Sequence, residues 1–150
     1  MVRMKSLVCS LMALGFAVSM AGRAHGRNVE LLVPSADAMV ATDVSNRPTG
    51  VVKFFIATQK YPEILRHLGS YLATPRSGAG GLSDQRACHE AFHWTRVDLE
   101  KRAQRAGANA VVNIVSYYRK KEMASAVEFE CHVGNVIVTV WLKGDLVKIA

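Results

Sequence analysis

Cysteine, proline and aromatic residues are scarce in this chain of 150 residues, which has three Cys, four Pro and 7% Phe, Trp and Tyr. Three cysteines exclude a disulfide-dense miniature scaffold and a four-cysteine zinc site, and no C-x-x-C occurs. A phosphate cradle of the form G-x-x-x-x-G-K-S/T is also missing, since Gly78-Ala79-Gly80-Gly81 lacks the lysine, and ATPase chemistry has no support. Basic residues are scattered apart from Arg119-Lys120-Lys121, without the aromatics that interleave a nucleic-acid stripe, so nucleic-acid binding is disfavoured. The stretch from Arg119 to Glu122 reads as a solvated turn between strands. There is no G-x-S-x-G, and no serine or cysteine has a recognisable neighbouring base, so no nucleophilic set can be assigned.

The one long apolar run lies at the start. Arg3 and Lys5 form a basic region, residues 7–18 an apolar region, and Ser19-Met20-Ala21 or Gly22-Arg23-Ala24 a small-x-small cleavage site. This pattern predicts a signal peptide over 1–24 and a periplasmic or secreted mature protein. The run is short for about 30 Å of hydrocarbon and no second one follows, so no transmembrane segment is expected after cleavage. Cleavage discards Cys9 and removes Arg3, Lys5 and Arg23, which lowers the formal charge from +7 to a mild +4. Two cysteines then remain, Cys88 and Cys131. In an oxidising compartment an even count invites a disulfide, worth roughly 3–4 kcal/mol for a loop of this length.

Along the mature chain, residues 25–50 read as a loosely ordered lead-in with one or two short strands, and 51–56 (Val-Val-Lys-Phe-Phe-Ile) as a clearer strand. Ile64, Leu65, Leu68 and Leu72 suggest a short helix over 61–72, followed by a mobile Gly/Ser loop at 77–81. Ser83 or Asp84 is a good N-cap for a long helix that runs to Ala106 and stops at Gly107. On that helix Cys88, Ala91, Phe92, Thr95, Leu99, Ala103 and Ala106 share a core face, while His89, His93, Arg96 and Glu100 form a polar face expected in solvent. Strands are expected at 110–118, 126–133, 136–142 and 146–149, with turns at Gly134-Asn135 and Gly144-Asp145. Alternation puts Val127, Phe129, Cys131 and Val133 on one side of the 126–133 segment and Glu128, Glu130 and His132 on the other. The class is therefore α+β: one long helix packed on a mostly antiparallel sheet of four to five strands, within a domain spanning 51–150.

The helix ending Ala106-Gly107-Ala108-Asn109-Ala110-Val111-Val112 and the closing Leu142-Lys143-Gly144-Asp145-Leu146-Val147-Lys148-Ile149 resemble the small YbjQ-like family, which is labelled heavy-metal-binding. The strand at 51–56 also fits, so the resemblance covers about the last hundred residues. More distantly the chain is similar to the sensor domain of the Rcs outer-membrane stress lipoprotein, whose disulfides join helix and strands much as Cys88 and Cys131 would. Closer exported relatives carry the label "excinuclease ATPase subunit", which the missing phosphate cradle does not support. The chain departs from YbjQ-like proteins in its leader and its two mature cysteines, and from the lipoprotein in lacking a lipid anchor.

One motif carries recognisable chemistry. His89-Glu90-Ala91-Phe92-His93 is an H-E-x-x-H, whose two histidines can grip one Zn2+ while Glu90 activates a bound water as general base. Two ligands are incomplete for a catalytic zinc, and the only later histidine is His132, on a strand. Three readings follow: a solvated polar face, a non-catalytic metal site of His89, His93 and His132, or a zinc hydrolase. Trp94 and Trp141 read as core or interface aromatics, and Tyr117-Tyr118 leaves self-association into a homo-oligomer open. The leading expectation is a non-enzymatic, disulfide-stabilised periplasmic binding or envelope-accessory protein without a cofactor. A zinc- or other metal-binding protein is the alternative. Ligand and partner are not specified by these residues.

Overall fold

The computed structural model describes residues 26–40 and 52–150. The expected signal peptide, with Cys9, and the 41–50 part of the lead-in lie outside the described residues. The elements in chain order are β1 (Asn28–Pro34), α1 (Ser35–Val40), β2 (Lys53–Ile56), β3 (Ile64–Ala73), β4 (Arg76–Gly78), α2 (Asp84–Ala106), β5 (Ala110–Tyr118), β6 (Lys121–Met123), β7 (Glu128–Gly134), β8 (Ile137–Thr139) and β9 (Leu142–Ile149). The expected class holds, with one long helix against mostly antiparallel strands. The strands divide into two sheets, ordered β1-β7-β8-β4 and β2-β5-β9-β3, with β6 added to β5. Only the β2–β5 pair is parallel among the described strands.

Helix α2 is delimited by its caps. The Ser83 hydroxyl accepts the Arg86 N–H at 3.4 Å, and Gly107 takes the left-handed conformation with φ 73°. There the Gly107 N–H donates to Gln104 O at 3.0 Å and the Ala108 N–H to Ala103 O at 2.9 Å, which satisfies carbonyls the helix leaves open. The expected apolar stripe is buried from Cys88 to Ala103, with Ala106 half-buried at its end. Phe92 stacks on Phe129 of β7 at 4.4 Å between centroids. The buried Thr95 hydroxyl lies 2.8 Å from both Ala91 O and Val140 O, tying the helix to the chain between β8 and β9.

Strand β5 is β-branched on both faces and buried on both. Val111 and Ile114 face the main core, while Ala110 and Val112 join Val147 and Ile149 in a second apolar cluster with Phe55, Tyr61 and Ile64. Val111 and Ile114 reach the same side because the register with β9 shifts between Val112 and Val115, where Asn113 has φ 53°. The extra residue brings two branched side chains over one point of β9, and that point is Gly144. A Cβ there would stand 2.5 Å from Val111 Cγ1 and 3.1 Å from Ile114 Cγ1. The expected turn at Gly144-Asp145 is therefore wrong: Gly144 is buried inside β9, and its missing side chain is room for the bulge opposite.

Residues 64–73 form a strand rather than the expected helix. The leucine spacing there is short, Gly69 has φ 111°, and β3 pairs with β9 from Ile64↔Ile149 to Ala73↔Leu142. A long ladder formed with a distant strand overrides a weak local periodicity. The 77–81 loop likewise begins as β4, paired to β8. The lead-in is more ordered than expected where it is described, as β1 pairs with the whole of β7 and α1 packs against α2. The Arg119-Lys120 turn is exposed as expected, with both residues at positive φ between β5 and β6.

Candidate functional site

The side chains of β7 alternate, and the two faces do different things. Toward α2 lie Phe129, Cys131 and Val133, all buried. Cys131 is disulfide-bonded to Cys88, with Cα atoms 5.9 Å apart and a sequence separation of 43. The bridge joins the first turns of α2 to the centre of β7, and both cysteines have no exposed surface. Sequence reasoning found this pair from the count of cysteines, and the helical and strand periodicities placed each on its inward face.

The opposite face of β7 was expected to be the polar one. It is polar in composition yet buried, with Glu130 and His132 only 6% and 5% exposed. Tyr118, at the end of β5, lies flat on the His132 ring at 3.4 Å with 18° between planes, and Trp141 sits 5.0 Å from Tyr118. Ser116 Oγ accepts the Glu130 N–H at 2.9 Å, so the far end of β5 closes over this side of β7. Residues two apart on a strand share a face, and His132 Nε2 meets Glu130 Oε1 at 2.5 Å. The register Glu30↔His132 places a second, exposed carboxylate beside the pair from β1. The ligating atoms of Glu30, Glu130 and His132 all lie within 4.8 Å of one another. Among the described residues this is the only group of three His, Cys, Asp or Glu side chains so gathered.

His132 thus finds carboxylates, and the expected grouping with His89 and His93 is not assembled. The polar face of α2 also needs correction: His93 and Glu100 are 5% and 4% exposed, and of the H-E-x-x-H only Glu90 is exposed. The Arg96 guanidinium lies 5.2 Å over the Phe54 ring of β2, and α1 packs on α2. Burial, aided by the charge of Arg96, pushes the His93 imidazole below its ordinary value, and Glu90 opposes that shift. Neither ring nitrogen of His93 has a hydrogen-bond partner among the described residues, nor does His89 Nε2. Glu90 faces another way. With Arg76, Trp94, Asp98 and Lys101 it lines a groove of about 530 Å3 beside the β3–β4 bend.

Glu30, Glu130 and Tyr118 were not named as site residues by sequence reasoning. The E-F-E-C-H alternation signals that Glu130 and His132 share a face, but nothing local reveals that Glu30 stands across from His132 or that Tyr118 folds over it. No protein-family model, no curated protein and no solved structure matches the chain.

Proposed function

We propose that this protein is an exported, disulfide-stapled α+β domain that acts by binding, as an envelope-accessory protein of the YbjQ-like kind, rather than by catalysis. The Cys88–Cys131 bridge carries the reading, because a buried disulfide between the main helix and a central strand suits a protein that folds in an oxidising compartment. The leader pattern over 1–24 supports the same placement. The binding character rests on the chemistry of the polar residues. The two histidines of the H-E-x-x-H and its glutamate are divided between a covered helix face and an open groove, and no third ligand joins the histidines among the described residues.

Alkylation of the denatured, non-reduced protein, read by intact mass, tests this function at its base. The expected result is no label on Cys88 or Cys131 until a reductant is added. Two labelled thiols before reduction overturn the oxidised-compartment reading.

A further inference from the structure

We propose that Glu30, Glu130 and His132 form a binding site for one divalent transition-metal ion, of which Zn2+ is the reference case. The proposal rests on the faces of β1 and β7 that meet at the Glu30↔His132 register and stands whether or not the chain is exported.

The donor set is one imidazole and two carboxylates, already gathered within 4.8 Å of one another. Imidazole with carboxylate oxygens suits zinc and its neighbours, whereas Ca2+ asks for six to eight oxygens. Charge points the same way. Burying a carboxylate is costly unless an opposite charge is close, and no Lys or Arg pairs with Glu130 among the described residues. Its partner is His132, whose Nε2 meets Glu130 Oε1. A divalent ion between them balances the two carboxylate charges of Glu30 and Glu130. Metal–ligand distances of about 2.0–2.2 Å separate neighbouring ligands of a tetrahedral ion by about 3.4 Å. Binding therefore opens the His132–Glu130 contact by roughly an ångström, which a side-chain torsion can supply.

Access and support are also present. The Tyr118 ring covers the face of His132, and since ring nitrogens coordinate in the plane of the imidazole, the stacking holds the ring without blocking either one. Buried His132 Nδ1 has no hydrogen-bond partner among the described residues, so this ring is not committed to a second neighbour. Glu30 is exposed, which gives the ion an entry from solvent and leaves a remaining coordination position for water.

Isothermal titration of Zn2+ into the purified, disulfide-intact protein is expected to show one saturable site per chain. Glu30→Gln changes an exposed side chain and keeps the fold. It is expected to raise Kd at least about tenfold. His132→Ala is expected to remove the site, while the His89→Ala/His93→Ala variant retains it. Co2+ in place of Zn2+ should give visible bands of a nitrogen–oxygen site without thiolate charge transfer, weakened by Glu30→Gln. Absence of saturable binding, an unchanged Kd in Glu30→Gln, or loss of the site in the His89→Ala/His93→Ala variant overturns the proposal.

Discussion

Reducing the Cys88–Cys131 bridge breaks one S–S bond, adds two hydrogens and substitutes no residue, so its effect on stability can be worked from chain length. For a separation of 43 residues the loop-closure relation gives about 4 kcal/mol at 25 °C. A domain of this size is stable by about 5–15 kcal/mol, so the bridge supplies a large share of the total. With each kcal/mol moving the melting temperature by about 4 °C, the value at which the ranges for smaller and larger domains meet, a fall of about 16 °C is expected. Calorimetry before and after reduction by a phosphine, with alkylation of a parallel sample to confirm two free thiols, measures it. Cys88→Ala/Cys131→Ala should fall further, because both sulfurs are fully buried and their removal leaves a cavity that reduction does not. A reduced protein that melts where the oxidised one does refutes the idea that the bridge holds α2 to β7.

Two further predictions concern residues whose roles became visible only in three dimensions. Because burial lowers the His93 pKa below its ordinary 6.5, the unfolded chain binds more protons than the folded one just below that value. Stability is then complete above 6.5, falls as pH drops through it and levels off below the folded-state value. Urea midpoints across this window should show the loss, and His93→Gln should reduce it; an identical acid loss in the variant would count against His93 as the source. Gly144→Ala forces a methyl against Val111 and Ile114 and should cost about 1–3 kcal/mol by chemical denaturation. A variant as stable as the parent would show that the Asn113 bulge yields freely.

Periodicity sustained over many residues was legible, and contacts set by distant pairing were not. The α2 boundaries followed from Ser83 and Gly107, whose cap chemistry is local, and the core stripe from Cys88 to Ala103 followed from the helical repeat. Residues 64–73 were misread because four apolar side chains in a short window cannot decide between helix and strand, while the ladder to β9, from Ile64↔Ile149 to Ala73↔Leu142, decides it from a distant part of the chain. Gly144 resembles a turn glycine until the bulge at Asn113 is seen opposite it. The helix face bearing His93 was expected to be wet for a similar reason. Neighbours of that face such as Phe54 of β2, over which Arg96 lies, come from distant parts of the chain and leave no mark in the sequence of α2 itself. In the candidate site, the sharing of one face by Glu130 and His132 was legible from alternation. Their burial under Tyr118 and the approach of Glu30 depended on β5 and β1.

The central claim, an exported domain matured in an oxidising compartment, is tested most directly by recovering the protein after expression with its own N-terminus in a Gram-negative host. N-terminal sequencing and intact mass of the osmotic-shock fraction are predicted to show a chain that begins just after Ala21 or Ala24, with Cys88 and Cys131 joined to each other. A full-length chain confined to the cytoplasm, with both thiols free, would contradict it.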